Sequence, residues 1–537
     1  MKFLRVFCVI ALVAFLAVGA YAETQNVKVS GDLAIRGFWR DNYGDMGSFA
    51  SQNEAQQAFG QGVPGAVTFR NGVDRPNSQW FMSTTELQID ADLTDNVSTC
   101  IRLVNQRDWN VARSTQVDEN AMGQISTLGS GGYGHSRAYM DDPNEFAVDL
   151  ELAYVTLKNF IYSPLTVSVG RQNLWFGKGF IVGANQRMRN AANFGNYMYS
   201  PAGGQARDNY KPLSAPEYTA LNAFDSVKAV LDFDPWTLTG IYSKIWGNSI
   251  QADDGVDLWG TNVGYKFDSY KGEAEGYWFY KRDQQVKTYI DIDSGNEVHT
   301  LGLRGSFDPI DIVSLYAEFA GQFGSYVGDP LQGNKRERVA GALDVGGECR
   351  YFTDKWAWKP KGGAEFIWYS GNKPEDRGVG AVNSAMNRSG QYNGWYPMYR
   401  GKQDSLIREY IGRYYFSATY PFETDRYYNS PDASFQNQYQ VVFSGSLQPM
   451  DSLKLTSNLN LFWNQEAYRG DMAKSCGYVG TELDMGATWD YTEDVSFNLA
   501  MGYFMPGDAY KIRDERTNIT SGDNTATDVV ASVKVSF

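Results

Sequence analysis

The strongest one-signed cluster of ionisable side chains lies between residues 173 and 222. There Lys178, Arg187, Arg189, Arg207 and Lys211 meet a single acid, Asp208, before Glu217. Basic groups gathered on one loop attract anions through their summed field. The same groups on a solvated loop would pair with anionic lipid headgroups, and the spacing does not choose between these readings. A second segment, 370–433, interleaves Tyr392, Trp395, Tyr396 and Tyr399 with Arg400 and Lys402. Such rings suit stacking on sugars, and equally suit a loop that packs on its own domain, the simpler expectation. Asp141, Asp142 and Glu145, and Asp253, Asp254 and Asp257, offer oxygen ligands without the spacing of a calcium loop. The glycine run 129–134 has no strand and helix around it and makes no phosphate cradle.

Catalytic chemistry has little to work with. The chain holds two histidines, His135 and His299, and neither has a nucleophile motif beside it. A hydrolase would need a serine and an orienting carboxylate near one of them. Of the four cysteines, Cys8 lies in the N-terminal apolar run, and Cys100, Cys349 and Cys476 are widely separated. That is neither a disulfide framework nor a zinc spacing, and no haem-attachment Cys-x-x-Cys-His occurs. We expect no cofactor, no metal and no enzyme activity.

The elements that must position these residues follow from the period of the hydrophobic pattern. Lys2 and Arg5, the apolar run Phe7 to Val18 and the small-residue site Ala20-Tyr21-Ala22 read as a signal peptide over 1–22, with the mature chain at 23–537. Its removal takes two bases from 48 and no acid from 62, moving the net charge from −14 to −16. That balance argues against nucleic acid as a partner. Mean hydropathy is −0.42, and no later run is long and apolar enough for a membrane helix. At the other end Val529, Ala531, Val533, Val535 and Phe537 share one face of a strand, and Ser532, Lys534 and Ser536 the other. A strand apolar outside, polar inside and aromatic at its tip suits a lipid-facing barrel.

The same alternation recurs along the chain. In 86–109, Leu87, Ile89, Ala91 and Leu93 alternate with Gln88, Asp90 and Asp92, Thr94-Asp95-Asn96 turns the chain, and Val97, Thr99, Ile101 and Leu103 alternate back. Similar hairpins fall at 297–323, 436–463 and 479–504. Short turns at Asp234-Pro235, Asp268-Ser269, Asp308-Pro309, Thr353-Asp354, Gln448-Pro449 and Thr492-Glu493-Asp494 use residues that bond their own backbone or preset its dihedral. Between them lie long segments: 40–79, 110–144, 173–222, 246–256, 282–296, 324–336, 370–433, 465–478 and 505–525. Short turns at one end and long loops at the other mark an outer-membrane barrel. We therefore expect an all-β chain, a single transmembrane antiparallel β-barrel of about 18 strands with a water-filled lumen.

Parity assigns the faces. Phe497, Leu499, Met501, Leu483 and Met485 should meet lipid, and Trp39, Trp236, Trp278, Trp463, Trp489 and Tyr491 should form interfacial girdles. Lys28, Arg36, Arg102, Lys228, Lys281, Arg304, Arg338 and Arg350 should face the lumen, with Asp90, Asp149, Glu151, Glu273, Glu275, Glu318, Asp344, Glu348, Glu365, Glu482 and Asp484. Rings of charge can set ion selectivity, or opposite charges can pair across strands and hold the wall, the expectation for most of them. Loop 173–222, after the strand Leu165 to Gly170, is the best candidate to fold inward as a constriction.

Glu151-Leu152-Ala153-Tyr154-Val155 leading to Val169-Gly170-Arg171-Gln172-Asn173-Leu174-Trp175-Phe176-Gly177 and Val182-Gly183, and Gly480-Thr481-Glu482-Leu483-Asp484 with Phe504-Met505-Pro506-Gly507-Asp508, resemble the alginate-export family of outer-membrane barrels. The resemblance implies a monomeric barrel of about 18 strands that passes an anionic polysaccharide through an arginine-rich lumen. It carries Arg171, Arg187 and Arg189 over as anion contacts; Arg207, Arg36, Arg102, Arg304 and Arg338 join them as pore-lining candidates from the loop and parity readings. The lumen read here holds at least as many acids as bases, a departure from that pattern. The expected role is a bacterial outer-membrane porin for small or anionic solutes, in contact with outer-membrane lipid and lipopolysaccharide. The rivals are a barrel enzyme and a barrel scaffold around a separate periplasmic partner.

Overall fold

A computed structural model describes residues 26–42, 78–109, 148–184, 215–247, 255–284 apart from 268, 295–327, 335–350, 356–371, 391–410 apart from 403, 436–466, 477–508 and 525–537. Two short loop hairpins, 117–119 with 125–127 and 512–513 with 520–521, are also described. The proposed signal peptide, Thr353-Asp354, both acidic loop clusters except Asp257, the glycine run, His135, Cys476, Arg187, Arg189 and Arg207 lie outside the described residues.

The strands of the wall are β1 (Asn26–Asp41), β2 (Ser78–Thr94), β3 (Val97–Asp108), β4 (Asp149–Leu157), β5 (Leu165–Gln172), β6 (Phe224–Asp232), β7 (Trp236–Trp246), β8 (Val256–Phe267) and β9 (Gly272–Asp283). They continue with β10 (Asn296–Ile310), β11 (Val313–Val327), β12 (Lys335–Cys349), β13 (Lys361–Tyr369), β14 (Gln438–Met450), β15 (Leu453–Asn464), β16 (Tyr478–Asp490), β17 (Val495–Pro506) and β18 (Ala526–Ser536). Each pairs antiparallel with its neighbours in sequence, and β1 pairs with both β2 and β18, so the 18-stranded sheet closes on itself. The C-terminal Phe537 exchanges two backbone hydrogen bonds with Gly31 at the seam. Closure leaves no unpaired edge, the condition for a sheet to cross a bilayer.

The turns form as their residues dictate. Thr492 Oγ1 accepts the backbone N–H of Asp494 at 3.3 Å and of Val495 at 3.0 Å, and Thr94 Oγ1 accepts that of Asn96 at 3.3 Å. Alternation then puts apolar side chains outside: Phe497, Leu499, Met501 and Met485 are each more than two-fifths exposed on the bare protein surface. Trp39, Trp236, Trp489 and Tyr491 stand among them near strand ends. Among the described residues no helix is long and apolar enough to cross a membrane; strands apolar on the outside are the crossing elements of a barrel. The outward apolar band is the face that a transmembrane barrel presents to lipid.

The inner face is not simply open. Segments 173–184 and 215–223, from the loop between β5 and β6, turn inward, as does 391–410 from the loop between β13 and β14. Leu174, Phe180, Ile181 and Val182 from the first and Trp395, Met398 and Tyr399 from the last are buried against the wall residues Leu258, Phe279, Val298, Ala342, Ile367 and Tyr369. The apolar core of this protein therefore lies inside the barrel, built from loop residues.

Candidate functional site

The two inward segments meet each other. Val182 and Tyr399 form a parallel bridge, with Tyr399 N–H donating to the Ile181 carbonyl at 3.0 Å and Ala184 N–H to the Tyr399 carbonyl at 2.9 Å. Residues 391–394 also complete the wall: β13 pairs with β12 only as far up as Ala342, and above that Tyr392 takes the place of a strand beside Glu337 to Val339. The aromatic loop thus packs on the barrel, as the simpler expectation held, and reaches into it. Tyr392, Trp395 and Tyr399 are at most 2% exposed.

Glycines make the first segment's turn possible. Gly177 and Gly179 have φ of +54° and +77°, a region that costs other residues energy. A Cβ on Gly177 would stand 2.9 Å from Arg304 Cδ, and one on Gly179 would stand 2.9 Å from Trp175 Cζ2. Between them Lys178 places its ammonium 2.7 Å from the centre of the Tyr316 ring. Burial first, and then the neighbouring Lys402, push the Lys178 ammonium down to about 8.

Lys402 is the centre of the second segment's polar seat. Its ammonium lies 3.3 Å from Asp344 and 3.2 Å from Asp404, and it also bonds Glu365. Burial works against this charge, and the three carboxylates outweigh it, so Lys402 is held well above the ordinary lysine range. Five residues further along the chain, Ile407 N–H and Arg408 N–H donate to the two oxygens of Glu482 at 2.7 and 3.0 Å. The third inward piece, 215–223, is tied by Glu151 Oε1, which accepts Asn222 and Ala223 N–H at 2.8 and 2.9 Å, and by Arg40, which bonds Glu217 and Asp528.

Below these segments, toward the short-turn end, is a cavity of about 400 Å³ lined by Trp175, Phe176, Lys228, Asn262, Glu273, Glu275 and Arg304 among others. Arg304 pairs with Glu273 at 2.7 Å and with Glu275, which also accepts Asn262 Nδ2–H at 2.9 Å.

The residues expected to line a pore distribute unevenly. Arg304 reaches the cavity. Arg36 donates to Thr84 at 3.1 Å and stacks over Tyr218, 5.2 Å from the ring centre. Arg102 bonds Gln88 at 2.8 Å and faces Glu86 at 3.5 Å. Arg338 is fully covered by the 391–396 segment: it donates to the Gly394 carbonyl at 2.9 Å and lies 4.9 Å from the Tyr392 ring, so it braces the loop and does not meet lumenal water. Arg171 needs correction. Its ladder partners are Ala153 and Asp225, and it shares a face with the outward Val169 and Val227, where it pairs with Asp225 at 3.2 Å. Alternation through Val167, Val169 and Arg171 turns it outward, a count the resemblance had overridden.

His299 is also on the outer face. It stacks between Tyr280 and Phe323, at 4.3 and 4.9 Å, in a row of rings with Trp259 and Tyr242 on successive strands, and its Nδ1 accepts the Trp278 indole N–H at 3.3 Å. Such a row is the interfacial girdle. Asp257 is held by Lys244 at 2.8 Å and by the Tyr242 hydroxyl at 3.0 Å. Among the described residues no group of His, Cys, Asp and Glu has the arrangement of a metal site. Cys100 is a buried thiol and Cys349 an exposed one. Lys178 stands in the loop expected to fold inward, whereas nothing in the sequence marked Lys402 and the exposed Trp175 for the lumen, since loop residues follow no alternation.

A sequence model of a family described as alginate export matches residues 220–522. No curated protein sequence matches the chain. Among solved structures, similar chains include OccAB1 of Acinetobacter baumannii, at 10% identity and a TM-score of 0.48, covering 96% of this chain and 99% of that one. OccK9 (OpdG) of Pseudomonas aeruginosa matches at 10% identity and a TM-score of 0.47, with 96% and 99% covered. OmpT, an outer membrane protein of Vibrio cholerae, matches at 9% identity and a TM-score of 0.35, with 96% and 100% covered.

Proposed function

This chain belongs to the alginate export family, and from that membership we propose that it is a passive, monomeric, non-enzymatic channel for small hydrophilic solutes, its lumen narrowed by its own loops. A channel role in the bacterial outer membrane agrees with the family and the closed barrel. The observation that carries the narrower reading is the Val182–Tyr399 bridge inside the wall, which joins two loop segments across the lumen. Delivery to that membrane would use the signal peptide proposed over 1–22.

Small solutes are favoured over an alginate-like polyanion by how the inner arginines are used. Arg40, Arg102, Arg304 and Arg350 each sit against carboxylates, so their charge is spent on the wall. A polyanion would then depend on Arg187, Arg189 and Arg207. The enzyme reading loses a candidate base, since His299 is stacked in the lipid-facing girdle. The scaffold reading loses room, since three segments of the chain itself occupy the lumen.

Conductance of the refolded protein in planar bilayers tests the proposal. We expect discrete, ohmic channels with a weak ion preference. A folded barrel that never conducts would overturn the channel reading. Strong anion selectivity lost in the double variant Arg187→Gln, Arg189→Gln would favour the polyanion instead.

A further inference from the structure

The cavity beneath the constriction contains one basic group that the wall does not use. Lys228, on β6, faces inward with Ser168 and Ile241 as its ladder partners, and lines the 400 Å³ space with Val230, Thr239, Trp175 and Phe176. No hydrogen-bonding or ionic partner of its ammonium occurs among the described residues. Its neighbours in the wall differ: Arg304 is engaged by two carboxylates, Lys281 by Tyr396 and Asp283, and Lys402 by three acids. A half-buried ammonium facing a half-open cavity has three N–H donors to offer.

The rest of the lining restricts what could accept them. Trp175 keeps 54% of its surface exposed. Its indole N–H is already donated to the Gly177 carbonyl at 2.8 Å, and Arg400 covers part of the ring at 4.8 Å. What remains is a flat apolar face beside Phe176, suited to the C–H face of a ring. Glu273 and Glu275 keep lone pairs that can accept from hydroxyl groups, and Asn262 and Thr239 add polar atoms. The two glutamates also repel any second negative charge brought near them. A volume of about 400 Å³ is that of a small-molecule site.

We infer that Lys228, Trp175 and the Glu273–Glu275–Arg304 group form a solute subsite for a single-ring, singly charged hydroxy-carboxylate of the sugar-acid class. Lys228 takes the carboxylate, Trp175 stacks on the ring, and the glutamates accept its hydroxyls. The inference rests on the channel reading for its transport role but not for binding. It distinguishes a monomeric sugar acid from a polymer, which would carry a carboxylate on every ring into the field of Glu273 and Glu275.

The test uses the full mature protein with sodium glucuronate as probe and glucose as the neutral comparison. Glucuronate added on the short-turn side should block single-channel current in a saturable way, and calorimetry in detergent should give the same affinity. Lys228→Met should weaken glucuronate at least about tenfold, the loss expected for one charge-assisted hydrogen bond, and leave glucose unchanged. Lys228→Arg should keep most of the affinity and guards against a folding defect. Trp175→Ala should weaken both sugars. Glucuronate affinity unchanged in Lys228→Met, or no saturable glucuronate binding by a conducting wild-type channel, would overturn the subsite and leave the channel standing. Calorimetric binding that depends on Lys228 in a barrel that does not conduct would support the subsite and sink the channel.

Discussion

Replacing Lys402 by methionine should unseat the 391–410 segment without unfolding the barrel. The Lys402 side chain is 9% exposed, and its charge is set against Asp344, Glu365 and Asp404. Methionine keeps the stem's length and packing but strands Asp344 and Glu365 in a poorly hydrated site, with the more exposed Asp404 beside them. Removing one partner of a buried ion pair costs about 3–5 kcal/mol, a factor of roughly 10² to 10³ or more in the seated-to-released ratio. The wall is held by its own strand ladder, so the loss falls on the segment. In planar bilayers the variant should show higher-conductance openings and more current noise than the wild type, while its heat-dependent gel mobility stays that of a folded barrel. The pH dependence has a definite sign. Burial holds the Asp404 carboxyl above its ordinary range, and Lys402 opposes this. Without Lys402 the seated state binds protons more readily than the released one, so seating is favoured at low pH and lost as pH rises through that raised value. The extra openings should therefore shrink from about pH 8 to about pH 5. Identical conductance and noise in a folded Lys402→Met channel at both pH values would falsify the argument that this ammonium holds the segment.

Two further outcomes follow from other parts of the molecule. Lys178 titrates near 8; it is charged below that value and neutral above it, so reversal potentials in a salt gradient should shift toward cation preference between about pH 7 and about pH 9, and Lys178→Met should abolish the shift. Leu499→Arg, on the lipid face, should destabilise the barrel by about 2–4 kcal/mol in vesicle-based denaturant unfolding, whereas Asn498→Ala, its lumenal neighbour, should stay within about 0.5 kcal/mol.

Much of this architecture was legible in the order of residues alone. A strand repeats every two residues, so Phe497, Leu499 and Met501 declare an outer face with no knowledge of their neighbours. Turn residues such as Thr492-Glu493-Asp494 bond locally and mark where strands end. The count of strands, the closure and the one-sided loops follow from these local signals, and the closed 18-stranded sheet agrees with them. Arg171 follows the same rule: the alternation of its strand turns it outward toward Asp225, against the lumenal place that the family resemblance implies.

What the order of residues could not determine is what fills the barrel. Loop residues have no period, and their place is decided by partners far away in the chain. Val182 meets Tyr399, Arg40 meets Asp528 across 488 positions, and Glu151 holds the backbone at Asn222. Which lumenal charges are engaged and which are available is likewise a property of the closed fold. Arg304 and Lys228 are both inward basic residues by parity, yet two glutamates neutralise one and the other faces a cavity without a described partner. Charge interactions depend on distance in space, and only closure of the sheet and the inward turn of its loops set those distances.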